Sequence, residues 1–353
     1  MNNQEVIICE QLENDLNRVV EQHPHDKLFI LTDQHTHSLC LPRLKGIQAL
    51  EGAEEIIIGP EDVNKTLDTL ASVWQALSAR GASRHSLLVN LGGGMVTDLG
   101  GFAAATFKRG ITYINIPTTL LAMVDASVGG KTGINFNGLK NEIGAFAPAT
   151  AVLLETDFLR TLDDRNLLSG YAEMLKHGLI SDQRHLNELL AFDLEKADYA
   201  RLKSMVGRSV QVKEDIVEQD PQEHGIRKAL NLGHTAGHAF ESLALAEGCP
   251  VLHGYAVAWG MVCELYLSHI KAGFPKEKMR QVVQFIKTYY GIFNFTCNQY
   301  ETLYGLMKHD KKNTAGIINF TLLKDTGEIC LNQTADKETL FEMFDFYREC
   351  MGV

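Results

Sequence analysis

The sequence predicts an α/β domain with a largely parallel sheet, followed by a mainly α-helical domain. In the first part of the chain, short apolar runs rich in β-branched residues alternate with stretches of helical period. This alternation is typical of parallel sheets covered by helices. Beyond about residue 160 long helical patterns replace it. We therefore expect an N-terminal domain at residues 1–157 and a C-terminal domain at 158–353.

Five short apolar runs predict buried strands. They lie at residues 27–32, 55–59, 86–91, 111–116 and 151–154. Helical periodicity predicts helices over 64–80 and 96–108, and later over 195–218 and 255–271. Residues 317–328 predict a β-hairpin within the second domain.

Composition and charge exclude several classes of protein. Hydrophobic residues make up 45% and charged residues 22%, which is typical of a globular protein. No apolar run approaches the length of a membrane span, and the N-terminal residues lack a signal-peptide pattern. The seven cysteines are scattered without CxxC spacing, so we expect no disulfide framework and a cytoplasmic location. The net charge, 33 − 44 = −11, argues against a nucleic-acid-binding protein.

A glycine turn predicts a phosphate-binding loop in the first domain. Gly92-Gly93-Gly94 follows a predicted strand and precedes a predicted helix. Glycines there let the backbone approach a pyrophosphate, and the helix N-terminus supplies unpaired N–H groups. The turn departs from the GxGxxG fingerprint, so the expected nucleotide-binding sheet is not an ordinary Rossmann fold.

A second glycine-rich stretch follows from Pro117 to Glu142. Its Gly129-Gly130-Lys131-Thr132 segment superficially resembles a P-loop, but the upstream glycine that the Walker motif requires is absent. We therefore reject an ATPase and interpret the stretch as loops whose lysines and asparagine suit oxyanions.

Histidines and a carboxylate in the second domain predict a catalytic metal. His234 and His238 share a helical face, His253 lies between a leucine and a glycine, and Glu173 shares a face with Lys176 and His177. Two histidines and a carboxylate match a catalytic zinc site with an open position. The HExxH motif is excluded, because Thr235 occupies the position of its general base. Spacing alone favours His234 and His238 as a pair of ligands. It cannot decide whether the second histidine ligand is His238 or His253.

Basic and polar residues near these motifs indicate an anionic substrate. One group lies in the stretch that ends at His234, another lies late in the chain, and Arg109 precedes a predicted strand. The residues are Lys213, Glu223, Arg227, Asn231, Asp310, Lys311, Lys312 and Asn313.

Taken together, these motifs closely resemble those of the 3-dehydroquinate synthase family of sugar phosphate cyclases. The matching segments are 92–98, 117–122, 124–131, 140–141, 170–178, 231–241, 253–254 and 310–312. The resemblance covers essentially the whole chain. It implies the fold described above, with NAD bound by the first domain and a divalent metal, zinc or cobalt, bound by the second.

The resemblance also assigns roles to individual residues. It implies that Glu173, His234 and His253 bind the metal, so that His238 handles substrate and protons. It implies NAD contacts from Asp62, Lys65, Gly94, Met95, Val96, Thr97, Asp98, Thr118, Thr119, Lys131, Lys140, Phe158, Leu159, Arg160 and Thr161. It implies substrate contacts from Asp125, Lys131, Asn141, Lys176, Lys213, Arg227, Asn231, His238 and one of Lys311 or Lys312, with His238, Lys176, Lys131 and Asn141 as the catalytic group. Asn64 departs from the family, in which an aromatic residue is common at this position.

In this family the reaction converts 3-deoxy-D-arabino-heptulosonate 7-phosphate (DAHP) to 3-dehydroquinate and phosphate, a step of the shikimate pathway to aromatic amino acids. NAD-mediated transient oxidation permits loss of phosphate, and re-reduction is followed by an intramolecular aldol closure. The resemblance also implies a homodimer in which Arg109 reaches the neighbouring subunit's site. Three alternatives stay open: a sister sugar phosphate cyclase, a metal-dependent alcohol dehydrogenase of the glycerol dehydrogenase type, and a non-catalytic metal- or nucleotide-binding protein.

Overall fold

The computed structural model describes residues 4–137, 139–308 and 317–353. The chain forms two compact units, Met1–Asp163 and Asp164–Val353. The functional domain limits drawn from the sequence, 1–157 and 158–353, stay a prediction. Within the described ranges, no helix combines the length and the apolar character needed to cross a membrane.

The first unit contains the α/β architecture. Its strands and helices are β1 Glu5–Ile8, α1 Leu12–Glu21, β2 Leu28–Asp33, α2 Gln34–Leu39, β3 Glu54–Ile58, α3 Leu67–Ala79, β4 Leu87–Gly92, α4 Gly94–Thr106, β5 Thr112–Pro117, β6 Lys131–Phe136, β7 Leu139–Phe146 and β8 Ala151–Leu154. Six of these strands form one sheet in the order β1-β8-β5-β4-β2-β3, and their pairings are parallel. The five predicted strands and the predicted α/β fold are confirmed.

Two features of the first unit differ from the sequence reading. Strand β1 pairs with β8 at the edge of the sheet, and its four residues are too few to show a period. Strands β6 and β7 form an antiparallel hairpin, with Gly133 opposite Gly144, where we expected loops. Glycines and lysines concealed the alternation that normally identifies a strand.

The second unit is mainly helical. Its elements are α5 Asp164–Ser181, α6 Gln183–Leu190, α7 Tyr199–Gln219, α8 His234–Ala246, α9 His253–Leu267, α10 Lys276–Tyr290, α11 Tyr300–Lys308, β9 Phe320–Asp325, β10 Glu328–Gln333 and α12 Lys337–Met351. Strands β9 and β10 form the predicted hairpin. A π-helical turn, Ser268–Ala272, follows α9 directly, at the end of the segment 255–271 that was predicted as one helix.

Helices α5 and α9 pack so closely that one position between them tolerates only glycine. A Cβ atom on Gly254 would overlap the carbonyl oxygen of Ser169 and lie 2.6 Å from Ser169 Cα. In return, the Gly254 N–H donates to Ser169 Oγ at 3.1 Å. The contact lies next to His253 on α9 and one turn from Glu173 on α5, so it sets the separation of these two side chains.

We therefore expect Gly254→Ala to destabilise the protein by about 3 kcal/mol, because α5 and α9 must move apart to accept the methyl group. The free energy of unfolding measured in urea tests this. Gly305→Ala in α11 is the matched control, because a Cβ there meets nothing within 4 Å. It should be neutral or stabilising by up to about 1 kcal/mol. Equal effects of the two substitutions would refute the packing argument.

Candidate functional site

Three potential metal ligands meet in the second unit. Glu173 lies on α5, and His234 and His253 are the first residues of α8 and α9. Glu173 Oε1 lies 3.5 Å from His234 Nε2 and 3.4 Å from His253 Nε2. The three ligand atoms lie within 4.8 Å of one another. Glu173 is fully buried, so one carboxylate oxygen and two imidazole nitrogens face a common point.

Neighbouring groups orient both imidazole rings. His234 Nδ1 lies 3.1 Å from the carbonyl oxygen of Leu232, to which it can donate, leaving Nε2 as the ligand atom. His253 Nδ1 lies 3.6 Å from Glu241 Oε2. Burial by itself lowers the pKa of His253, but the carboxylates of Glu173 and Glu241 outweigh it and raise the pKa to about 10. These carboxylates therefore make the site favourable for positive charge.

The separations fit a divalent metal. In tetrahedral coordination with bonds of about 2.0–2.1 Å, neighbouring ligand atoms lie about 3.3–3.4 Å apart. The two separations from Glu173 Oε1, 3.5 and 3.4 Å, need only small adjustments. In metal sites a carboxylate usually lies behind a ligating histidine, and Glu241 lies in the corresponding place beside His253 Nδ1.

His238 lies beside this cluster. Its ring packs edge-on against His234, with 5.3 Å between centroids, and lies 6.0 Å from the ring of His253. His238, Glu241 and His253 form a second possible ligand set. His253 belongs to both sets, whereas the sequence spacing favoured His234 with His238.

Cationic side chains are buried in the same unit. Lys176 forms an ion pair with Glu173 Oε2, and both are almost completely enclosed. Lys213 on α7 and Arg227 are also buried. Arg227 donates to the carbonyl oxygen of Pro221 at 2.6 Å, and Asn231 donates to Glu223 Oε1 at 3.0 Å. Lysine, arginine and asparagine side chains donate to carboxylate and phosphate oxygens, so this set of residues suits an anionic ligand.

The glycine turn of the first unit leads from β4 into α4. Helix α4 begins at Gly94, and its N-cap Gly93 has no side chain that could bond the first N–H groups. Thr118 and Thr119 follow β5, and the Thr118 N–H donates to the Gly92 carbonyl at 3.0 Å. Val96, Thr97 and Thr118 are buried, so the first turn of α4 offers mainly backbone groups. This geometry fits a pyrophosphate at a helix N-terminus.

Polar residues predicted to bind NAD form a network in the first unit. Lys65 Nζ lies 2.6 Å from Asp98 Oδ2 and also donates to Asn141 Oδ1. Asp62 Oδ2 lies 3.6 Å from Lys140 Nζ. Asn135 was not predicted, yet it donates to Asp62 Oδ2 at 3.0 Å and accepts from the Asn141 N–H at 3.0 Å. The loop before α3 is thereby tied to the β6–β7 hairpin.

Further residues predicted to contact NAD lie in the segment 158–161, after β8. Phe158 and Leu159 are buried and Arg160 is exposed, so the two apolar side chains belong to the core and leave only backbone for a ligand. Thr161 Oγ1 lies 3.8 Å from Cys40 Sγ. Burial raises the pKa of the Cys40 thiol, and hydrogen bonds with the hydroxyls of Thr161 and Thr118 oppose that increase. Because Thr118 directly follows β5, this segment lies near the end of β5.

The other predicted site residues lie in the first unit or outside the described residues. Asp125 is half-buried in a π-helical turn after β5, Lys131 is exposed at the start of β6, and Arg109 is exposed. Met95 is half-buried in the first turn of α4. Lys311 and Lys312, with Asp310 and Asn313, lie outside the described residues.

Comparisons with known proteins agree with these features. The family model described as 3-dehydroquinate synthase N-terminal matches residues 55–169, and the C-terminal model matches 170–313. A 3-dehydroquinate synthase from Parabacteroides distasonis is 58% identical over 353 residues, covering 100% of both chains. One from Streptococcus pyogenes is 38% identical, covering 90% of this chain and 89% of the relative.

A solved structure is similar along nearly its whole length. It is the 2-epi-5-epi-valiolone synthase from Streptomyces hygroscopicus subsp. jinggangensis, solved with NAD+ and Zn2+ bound. The TM-score is 0.87 with 26% sequence identity, covering 98% of this chain and 97% of that one. The resemblance drawn from the motifs is confirmed, and the chain belongs to the 3-dehydroquinate synthase family.

Proposed function

We propose that the chain converts DAHP into 3-dehydroquinate and phosphate, as an enzyme of the shikimate pathway that uses NAD and one divalent metal. The observation that carries the proposal is the burial of Lys176, Lys213 and Arg227 in the unit that contains Glu173, His234 and His253. A metal set accompanied by buried cations suits a substrate with a carboxylate, a phosphate and several hydroxyls.

The same observation separates this proposal from an alcohol dehydrogenase. Oxidation of a simple alcohol requires a metal and a nucleotide but no buried cations for an anionic substrate. A protein that only bound metal or nucleotide would likewise need no buried cations for an anionic substrate. We therefore favour a cyclase that acts on a sugar acid phosphate.

We assign the cofactors to two sets of residues. Glu173, His234 and His253 would hold the metal, and the first turn of α4 with Thr118, Thr119, Lys65 and Lys140 would hold NAD. When bound, NAD would accept a hydride from the substrate and return it, while the metal would lower the pKa of a substrate hydroxyl. Zinc and cobalt both suit one carboxylate and two imidazoles.

The chain's own residues would bind the substrate and move protons. Lys176 holds Glu173 Oε2 and so leaves Oε1 directed towards the two histidines, and its remaining N–H groups can donate to substrate oxygens. Arg227 would bind the carboxylate with Lys213 and Asn231. His238, beside the ring of His234, would accept and release protons. Lys131 and Asn141 would hold the phosphate, with Asp125 and one of Lys311 or Lys312 completing the contacts.

The deciding experiment is an assay of the purified, metal-loaded protein with DAHP and a catalytic amount of NAD. We expect phosphate release, a carbocyclic product with the mass of 3-dehydroquinate, and no net NADH. Net NADH would indicate a dehydrogenase instead. If phosphate were released only from other sugar phosphates, the chain would be a sister cyclase. If the protein bound zinc and NAD but turned over neither DAHP nor any other sugar phosphate, it would be a binding protein.

Replacing a proposed metal ligand should weaken metal binding strongly. We expect His253→Gln to lower zinc affinity by more than about 100-fold, beyond the effect of losing an outer-shell partner. The matched control is His269→Gln, since His269 is likewise half-buried and its Nδ1 lies 2.8 Å from the Phe274 carbonyl oxygen, away from the cluster. Competition with a chromophoric chelator measures both. Retained affinity in His253→Gln would refute the ligand assignment.

We further propose a cytoplasmic homodimer in which Arg109 acts on the neighbouring subunit's substrate. Lys108 and Arg109 have φ values of 49° and 70°, in the left-handed region, and precede Gly110 with φ of 116°. Consecutive non-glycine residues in this region are strained. The strain supports a role for the exposed Arg109 side chain, because a relaxed loop would present it differently.

Mixed dimers test this arrangement. Arg109→Ala and His253→Gln should each be nearly inactive alone. After co-expression in equal amounts, half of the dimers should be mixed and contain one intact site, which gives about a quarter of wild-type activity. Sedimentation should give a dimer mass throughout. Activity that never exceeds the sum of the two separate variants would contradict a contribution across subunits.

A further inference from the structure

Glu264 is a fully buried carboxylate that the sequence motifs do not include. It lies on α9, and both of its oxygens accept backbone N–H groups from the start of α8. Oε2 accepts from Gly233 at 2.6 Å, and Oε1 accepts from Thr235 at 2.9 Å and Ala236 at 3.1 Å. One side chain of α9 thus caps the N-terminus of its neighbour α8.

The cap comes from a neighbouring helix because α8 cannot supply its own. Its N-cap residue is Gly233, with φ of 80°, and has no capping side chain. A Cβ at this position would lie 2.6 Å from Met261 Cγ and 2.8 Å from the Val257 carbonyl oxygen. Serine, threonine, asparagine or aspartate, the usual N-cap residues, therefore cannot fit there.

The capped turn contains a proposed metal ligand. The three N–H groups that Glu264 binds belong to Gly233, Thr235 and Ala236, on both sides of His234 in the chain. They fix the backbone from which the His234 side chain projects, while the Leu232 carbonyl fixes its ring. Helix α9 also begins with His253. The same helix therefore supplies one ligand and holds the backbone of another.

We propose that Glu264 is a positioning residue of the metal site, which holds His234 in the orientation that metal binding requires. This inference rests on the metal site proposed above. A charged acceptor at a helix N-terminus forms short, strong hydrogen bonds and interacts favourably with the helix dipole. If Glu264 only stabilised α8, its loss would lower stability without changing the metal affinity of the folded protein.

The test compares Glu264→Gln with Ser268→Ala. Glutamine keeps the shape of the side chain, but its NH2 group cannot accept a hydrogen bond from the backbone N–H group that it faces. Ser268 is also buried on this segment; its Oγ accepts the Leu323 N–H at 3.0 Å and donates to the Glu264 carbonyl at 2.7 Å. Ser268→Ala therefore removes hydrogen bonds of the same segment but leaves the Glu264 carboxylate and its three N–H donors in place. Cobalt titration with chelator competition would give the metal affinity, and thermal unfolding of the metal-free proteins would give stability. The cobalt titrations are carried out well below the unfolding temperature of the less stable variant.

We expect Glu264→Gln to weaken cobalt binding at least roughly tenfold, as loss of outer-shell partners does, and Ser268→Ala to leave it within twofold. Glu264→Asp keeps the charge and should bind cobalt more tightly than Glu264→Gln does. If Glu264→Gln does not fold, the cobalt affinity of Glu264→Asp should still fall below that of the wild type. Wild-type affinity in the folded Glu264 variants would overturn the inference alone. A wild-type protein that bound no cobalt would refute the metal site itself.

Discussion

The close approach of α9 to α5 and α8 is the constraint on which the second unit depends. Gly254 allows α9 to contact the backbone of α5, and Gly233 allows the start of α8 to lie against Val257 and Met261. Because His253 begins α9, His234 begins α8 and Glu173 lies on α5, these contacts bring their side chains together. The arrangement of the proposed metal ligands therefore depends on the close packing of the helix backbones.

The same packing buries several carboxylates. Glu173 and Glu264 are fully buried, and Glu241 nearly so. Glu264 is satisfied by three backbone N–H groups, and Glu173 is paired with Lys176 through one oxygen. The elevated pKa of His253 shows that Glu173 and Glu241 together still favour a cation between them. A divalent metal with neutral imidazoles would supply that charge, so the cost of burying these carboxylates and the binding of metal are linked.

Much of this organisation could be predicted from the sequence, and the exceptions have physical causes. The central strands were recognisable because sheets covered on both faces require continuous apolar runs, as in residues 86–91. The β6–β7 hairpin was not, because its exposed, glycine-containing strands have no such run. Helical spacing linked His234 to His238, and the structure places both His234 Nε2 and His253 Nε2 within 3.5 Å of Glu173 Oε1. The proposed ligands His234 and His253 lie 61 and 80 residues from Glu173 in sequence and meet it only through tertiary packing, so the family motif, not the spacing, nominated them.

Residues that hold functional groups in place are the hardest to predict. Asn135 and Glu264 act mainly through backbone N–H groups or loop residues. Any sequence provides a backbone N–H, so such a partner imposes no residue type and no spacing that a motif could record. A ligand must be one of a few residue types, whereas its support can come from any element that packs nearby. The N-cap of α8 illustrates this: Gly233 excludes a local cap, and only the structure reveals that α9 provides one.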